Sequence, residues 1–294
     1  MLGSLSDWMY DAVKALCLEG LLNNLYMVYS CFASLLSGDN LAAGALLQTH
    51  PADYGGGNVW NIIQRLCNNT VVPLAGMVLV IILIHDLIQT IISNNNFNDF
   101  DVVIIFKWVV KSVCGIVLVS NVSYIVSGIF SIATKLATDA RGVLRFVAFQ
   151  DPNWYDMVKN YSWGELIVIV LLSNILAICT FIMCAIIVVV VISRLIESFM
   201  LTAAAPIGMV TFMNSKTSSI GSNWVKNLLA VAFQGFFIIV AMTIFISMYT
   251  DFMNNFSQGK GVLLEMCILT GYSIALMFTI LRSGNISKSI FDAH

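Results

Sequence analysis

The sequence predicts an all-α protein that crosses a membrane several times. Of its 294 residues, 59% are hydrophobic and only 10% are charged, and the mean hydropathy is +0.89. A soluble domain carries about 25% charged residues, which keep its surface hydrated. The apolar residues also gather in runs of about 20, the length of helix that spans a bilayer. We therefore expect about five transmembrane helices, one Pro/Gly-broken helix that is re-entrant or an extra span, and an N-terminal amphipathic helix.

The first 70 residues are predicted to form a separate, N-terminal amphipathic region. Residues 4–19 place apolar side chains at helical spacing on one face, and Gly20 is a plausible helix end. The apolar face of this helix either lies in the bilayer interface or packs on the protein itself. Both interpretations stay open.

Two shorter stretches complete this region. Residues 21–36 are apolar but marginal in length and are interrupted by Asn23 and Asn24, so whether they span stays open. Residues 50–61 contain a proline and three consecutive glycines, which predicts a loop.

Residues 71–132 are predicted to form a transmembrane hairpin. One span covers 71–92, a second lies within 101–132, and a short polar turn joins them. Asp86 precedes the turn by about six residues and Lys107 follows it by about five, so their depths match at about 1.5 Å per residue. An ion pair of Asp86 with Lys107 or Lys111 is therefore predicted. Such a pair either pins the hairpin or provides a polar lining for a translocation path, unless the lysines only reach toward the interface.

A polar stretch at 133–165 is predicted to be a central loop, and residues 166–281 a transmembrane core followed by a tail at 282–294. Within this core, 166–193, 225–248 and 262–281 are apolar enough to span. Residues 195–213 differ, since Pro206 removes a backbone donor and Gly208 loosens the helix. We predict a broken helix there, because irregular backbone at membrane depth must be buried in protein or line a cavity.

No catalytic, cofactor or metal site emerges from the sequence. The seven cysteines include no CxxC pair, and four of them lie in apolar runs, where cysteine packs as a small hydrophobe. His85 and Asp86 are adjacent and point about 100° apart on a helix, so they do not suit one metal ion. We therefore predict that the protein is not an enzyme and carries no cofactor.

Two segments, 194–212 and 221–235, resemble one protein family. They contain an Arg and a Glu before an Ala-Pro-Ile-Gly break, then a Lys-bearing helix start and a Gln-Gly pair. This pattern is similar to that of the TrbL-like proteins, also known as the sixth subunit of the VirB series, which are polytopic inner-membrane channel proteins of type IV secretion and conjugation systems. The matching positions are Arg194, Glu197, Pro206, Gly208, Lys226, Gln234 and Gly235.

The resemblance implies a function and a topology. It implies a channel or scaffold subunit of the bacterial inner membrane, with an extracytoplasmic N-terminus and central loop and a cytoplasmic C-terminus. It also implies secretion ATPases and other channel proteins as partners, a homo-oligomer, and relaxase-bound single-stranded DNA as the substrate in transit. Arg194 and Glu197 would act together to anchor the break at Pro206.

In the central loop, the candidate substrate contacts are Arg141, Arg145 and Lys159, which would meet phosphates. The loop has a net charge of zero, which argues against a non-specific strand-binding platform. A secondary transporter for a small solute is the alternative function; it predicts paired broken helices, of which the sequence indicates one.

Overall fold

The computed structural model describes residues 2–36, 43–93, 102–143, 161–214, 216–254 and 261–294. Within these ranges every regular element is a helix and there is no strand, which confirms the predicted all-α class. The helices are α1 (Leu2–Leu36), α2 (Ala43–Gln48), α3 (Asn58–Leu66), α4 (Val72–Ser93), α5 (Val102–Ser120), α6 (Val122–Val143), α7 (Trp163–Ala203), α8 (Ala205–Thr211), α9 (Ser218–Asn254) and α10 (Val262–Ile290).

The multi-pass architecture is also confirmed. Among the described residues, four helical stretches are long and apolar enough to cross a membrane: Tyr54–Ile92, Trp163–Ala203, Ser218–Tyr249 and Leu264–Ile290. Helices α5 and α6 pass the same test together, as Ile105–Ser120 and Val122–Gly142, and are bent by 63°. Counting this bent pair as one span gives the predicted number of five.

The structure adds a bend, between α5 and α6, to the span predicted within 101–132. It lies at Asn121, whose side-chain Nδ2 donates to the carbonyl oxygen of Val117 at 2.9 Å. The Asn121 backbone N–H donates to the same oxygen at 3.1 Å. The bend thus coincides with a carbonyl that accepts from both the side chain and the backbone of Asn121, although Asn174 makes the same side-chain bond to Val170 within the uninterrupted helix α7.

The N-terminal helix is present but does not end at Gly20. α1 continues to Leu36, and Leu21, Leu25 and Val28 are buried. Asn24, which seemed to interrupt an apolar run, donates to Ser173 Oγ at 2.9 Å and to Asn174 Oδ1 at 3.1 Å, both on α7. Tertiary packing against α7 therefore overrides the local stop signal.

Two predicted loops are shorter than expected. α3 begins at Asn58, inside the predicted loop at 50–61, directly after Gly55, Gly56 and Gly57 take positive φ values. α6 continues to Val143, so the first part of the predicted loop at 133–165 is helical. The remainder of that loop, up to residue 160, lies outside the described residues.

The chain divides into two compact units. The first comprises Met1–Leu47, Thr138–Val191 and Phe237–Ser283, and the second comprises Gln48–Ala137, Ile192–Phe236 and Gly284–His294. The second unit has one main apolar core, in which side chains of α4, α6, α8 and α9 meet, including Leu79, Phe130, Val210 and Leu228. This unit also contains the polar contacts described next.

Candidate functional site

Arg194 is a buried cation near the end of α7, with only 6% of its surface exposed. Its Nε donates to the carbonyl oxygen of Val231 at 3.0 Å, and its Nη2 donates to that of Ala232 at 3.0 Å. Within the described part of the chain, these backbone carbonyls of α9 are its partners, and no carboxylate is. Hydrogen bonds to α9 thus offset part of the cost of burying the charge and join α7 to α9.

Gly235 provides the space for the Arg194 guanidinium. A Cβ atom added at Gly235 would lie 2.7 Å from Arg194 Cζ and 2.9 Å from both terminal nitrogens. The preceding residue, Gln234, is buried, and a Cβ at Gly284 of α10 would lie 3.3 Å from its Nε2. The Gln-Gly pair of the sequence motif therefore packs against two different helices.

Glu197 does not pair with Arg194, which corrects the prediction that the two act together. Glu197 Oε1 lies 3.7 Å from Lys288 Nζ on α10, and both side chains are about two-fifths exposed. Residues three apart on a helix are neighbours, so the two side chains are near enough to meet. The Arg194 side chain instead reaches the α9 backbone, because Gly235 leaves room for it there.

The end of α10 and the residues after it are bound to α9 by an ion pair and hydrogen bonds. Lys226 Nζ lies 2.6 Å from Asp292 Oδ2, and Ser287 Oγ donates to the carbonyl of Ala230 at 2.5 Å. Asn223 exchanges two hydrogen bonds with the His294 backbone, at 2.6 and 2.9 Å. The sequence singled out Lys226 but treated 282–294 only as a tail, because no local pattern indicates contacts between residues 57 to 71 positions apart.

The Asp292 contact predicts a pH dependence of the tail. The hydrogen bond and charge of Lys226 lower the pKa of Asp292 below its usual range, with a smaller contribution from His294. A lowered folded-state pKa stabilises the attachment above the ordinary Asp pKa of about 3.9, and this stabilisation is lost as pH falls through the folded value. We expect hydrogen exchange of the 287–294 backbone in wild type to match that of Asp292→Asn at acid pH and to be slower at pH 7. Equal exchange at pH 7 would mean that the ion pair does not hold the tail.

The predicted break in the chain lies at Ala204, between α7 and α8. Pro206 occupies the first turn of α8, where its missing N–H leaves no helical hydrogen bond unmade. Gly208 and Gly221 allow α8 to pack directly on α9: a Cβ at Gly208 would overlap the Trp224 ring, and a Cβ at Gly221 would lie 2.9 Å from the Gly208 carbonyl oxygen. The segment 195–213 is therefore the end of α7 plus a short packed helix.

Asp86 and Lys111 form an ion pair across α4 and α5. Lys111 Nζ lies 2.7 Å from Asp86 Oδ2, while the other predicted partner, Lys107, is exposed. The neighbouring Trp108 donates through Nε1 to the Leu83 carbonyl at 3.0 Å. His85 Nδ1 lies 3.4 Å from Asn214 Nδ2, in the segment after α8. The pair therefore joins the two helices of the hairpin, with its lysine about one helical turn further along α5 than Lys107, the residue whose depth matched that of Asp86.

Removing one partner of this pair is expected to destabilise the hairpin. Asp86 is 16% exposed and Lys111 is 37% exposed, so the pair is neither fully buried nor free in solvent. Between the costs typical of surface and buried pairs, we expect Asp86→Ala to lower stability by about 1–2 kcal/mol. Thermal unfolding of the detergent-solubilised protein, followed by size-exclusion chromatography, measures this loss. Asp86→Ala/Lys111→Met should recover part of it, and an equal loss in both variants would contradict a direct pair.

Of the three predicted substrate contacts, the structure describes Arg141. Arg141 is half-buried near the end of α6, and Arg145 and Lys159 lie outside the described residues. Among the residues described, no three His, Cys, Asp or Glu side chains are placed to hold a metal ion. What the described site provides is a set of polar contacts that lock α7, α9 and α10 together.

Comparison with known proteins identifies a family. A family model described as "TrbL/VirB6 plasmid conjugal transfer like protein" matches residues 41–206, more than half of the chain. The matched range includes Arg194, Glu197 and Pro206 and ends before Gly208 and the α9 residues of the site. No curated protein and no solved structure matches the chain.

Proposed function

The chain belongs to the TrbL/VirB6 family, and on this premise we propose that it is a channel or scaffold subunit of a conjugative type IV secretion system. As a member of this family it is a component of a conjugal transfer system, and its apolar helices make it a multi-pass membrane protein. The family match over 41–206 is the observation that carries the proposal. The subunit helps a DNA–protein substrate to cross the bacterial inner membrane and contributes no chemistry of its own.

The described contacts support a scaffold role. Two chain breaks lie next to apolar helices: the break at Asn121 lies inside the bent α5–α6 pair, and the break at Ala204 ends α7, which is long enough to span by itself. Such breaks are tolerated in a membrane where protein or an aqueous cavity surrounds the backbone. The end of α7, the first half of α9 and the end of α10 are joined by hydrogen bonds from Arg194 and Ser287. Three helices held together by hydrogen bonds, next to helices with chain breaks, suit a subunit that forms part of the wall of a translocation path.

The partners follow from the same proposal. The subunit assembles with further copies of itself, with secretion ATPases and with other channel proteins. Its substrate is a relaxase-bound single DNA strand, whose phosphates would be met by Arg141, Arg145 and Lys159.

An in-frame deletion of the gene tests the proposal. We expect the donor cell to lose transfer of its mobile element, and the wild-type gene supplied in trans to restore it. Complementation with Gly271→Ala is a matched control, because a Cβ at this exposed helical glycine meets nothing within 4 Å. Unchanged transfer after deletion would contradict a role in the secretion system. If deletion does abolish transfer, Lys107→Ala and Lys111→Ala then test whether the lysines serve the path.

One observation favours the alternative of a secondary transporter. That class is built with paired broken helices, and the structure has a second break at Asn121 besides the predicted one. Uptake of a radiolabelled solute into proteoliposomes tests it. Uptake by the purified chain alone, together with normal transfer after deletion, would favour the transporter.

A further inference from the structure

Helices α1 and α7 of the first unit pack side by side and run in the same direction. A Cβ atom added at Gly20 of α1 would lie 3.9 Å from Val170 Cγ1 of α7. Further along α1, Asn24 donates to Ser173 Oγ at 2.9 Å and to Asn174 Oδ1 at 3.1 Å. Because these contacts advance along both helices together, the two helices form a parallel pair.

Two cysteines meet further along this helix pair. The thiol groups of Cys31 on α1 and Cys184 on α7 are joined by a side-chain hydrogen bond. At 100° per residue, Cys31 falls within about 20° of both α1 residues that contact α7, and Cys184 falls within about 40° of Val170 and Ser173. The positions of the two cysteines on their helices therefore place both thiols on the line of contact, in agreement with the hydrogen bond between them.

The surroundings of the two thiols are apolar. Cys184 lies near the middle of the 41-residue helix α7, which is long and apolar enough to cross a membrane. Phe181, Ile182 and Val189 on the same helix are exposed, and such side chains suit contact with lipid chains. Since Cys31 and Cys184 are both half-buried, a small apolar molecule dissolved in the bilayer can reach them, whereas a charged reagent stays in the water.

From these observations we propose that Cys31 and Cys184 are a redox-active pair, which a lipid-soluble quinone oxidises to a disulfide between α1 and α7. Each thiol loses its hydrogen, and one S–S bond forms between the two sulfur atoms. The two electrons and two protons that leave the thiols convert the quinone to a quinol. This inference does not depend on the role of the protein in conjugal transfer.

The disulfide changes how α1 is held. The two sulfur atoms must approach from hydrogen-bond distance to about 2.05 Å, and rotation of the two side chains brings them together. In the oxidised protein a covalent bond then fixes α1 against α7. In the reduced protein the same contact depends on apolar packing and on the hydrogen bonds of Asn24. The redox state of the pair therefore determines how firmly the N-terminal helix is attached.

Oxidation of the full-length protein in lipid vesicles tests the pair. The reduced protein is treated with tetramethyl-benzoquinone, a lipid-soluble quinone that has no free ring position to which a thiol could add. The remaining thiols are then alkylated, and mass spectrometry of the non-reduced digest identifies linked peptides. We expect a link between positions 31 and 184 in most of the protein, and its disappearance when a reductant is added.

Serine variants of four cysteines provide matched controls. Cys31→Ser and Cys184→Ser should each abolish the link. Cys17→Ser and Cys179→Ser should retain it, although these cysteines are also half-buried and lie on the same two helices. Because the link closes a long stretch of chain, the quinone should raise the midpoint of thermal unfolding by several degrees in wild type and not in Cys31→Ser.

Three results would overturn the proposal. A link that forms with copper–phenanthroline and dioxygen but not with the quinone means that the cysteines are adjacent and that a quinone does not oxidise them. Equal oxidation by ferricyanide, a charged oxidant that does not enter the bilayer, means that the thiols are open to water. Absence of the link with every oxidant, or equally abundant links to positions 17 or 179, means that the fold does not hold the two thiols together.

Discussion

Gly208→Ala is expected to destabilise the protein, whereas the same substitution at Gly76 is expected to be neutral or stabilising. A Cβ at Gly208 would overlap the Trp224 ring, with 2.6 Å to Trp224 Cγ, and Gly208 itself is buried where α8 packs on α9. An indole ring held between helices cannot swing aside as the end of a flexible side chain does. Overpacking of this kind costs about 1–3 kcal/mol. At Gly76 a Cβ meets nothing within 4 Å, so alanine gains about 0.5–1 kcal/mol of helix preference there.

A double-mutant cycle with Trp224 isolates this contact. Trp224→Leu removes the ring that the added methyl group would strike, so Gly208→Ala should cost less in the Trp224→Leu background than in wild type. Coupling energies between residues in contact are about 0.5–3 kcal/mol. The measurement is the midpoint of thermal unfolding in detergent, with transfer efficiency as the cellular readout. Equal effects of Gly208→Ala and Gly76→Ala would contradict the close approach of α8 and α9.

The sequence predicts structural features well where they depend on residues that are close together in the chain. Membrane-spanning helices follow from composition and run length, because lipid demands long apolar segments. The Asp86–Lys111 pair was one of two pairs predicted across one turn; the equal depth pointed to Lys107, and the lysine that pairs lies one helical turn further along α5. The break near Pro206 followed from the chemistry of proline. In each case the residues that determine the feature lie close together in the sequence, within one helix or one helical hairpin.

The contacts that sequence reasoning missed depend on backbone atoms and distant segments. Arg194 bonds to two carbonyl groups, and every residue has one, so nothing in the sequence marks Val231 and Ala232 as its partners. The bend of the α5–α6 pair at Asn121 has no sequence signal, because Asn174 makes the same side-chain bond to a carbonyl four residues earlier within the uninterrupted helix α7. Gly20 continues a helix because α1 packs against α7 at that level.

Three glycines of the second unit share one physical role. Gly208 accommodates Trp224, Gly221 accommodates the α8 backbone, and Gly235 accommodates Arg194. Small residues at helix contacts let backbones or large side chains approach closely, which matters in lipid, where burial of apolar surface drives association only weakly. Each of these glycines is therefore explained by the group that packs against it, which leaves no room for a side chain.

Arg194→Ala is expected to be among the most damaging single changes in the chain, and Glu197→Ala among the mildest near the site. Truncating the arginine removes a large buried side chain and two hydrogen bonds to α9, and such truncations cost about 2–5 kcal/mol. Glu197 makes only a partly exposed pair with Lys288 at 3.7 Å, and exposed pairs contribute about 0–1 kcal/mol. Thermal unfolding of the two variants measures both losses. A larger loss for Glu197→Ala than for Arg194→Ala would favour the pairing of Arg194 with Glu197 that the sequence suggested.

Gly235→Ala identifies the reason for the Arg194 effect. In wild type the added methyl group would lie 2.7 Å from Arg194 Cζ, so the guanidinium must leave its carbonyl partners and Gly235→Ala should destabilise. In the Arg194→Ala background the space is already empty, and the glycine substitution should then cost nothing further or be stabilising, by about 0.5–1 kcal/mol of helix preference. Non-additivity of this sign is specific to a steric contact between the two residues. Strictly additive losses, measured by thermal unfolding of the four variants, would show that Arg194 and Gly235 act independently and that the guanidinium is not what the glycine accommodates.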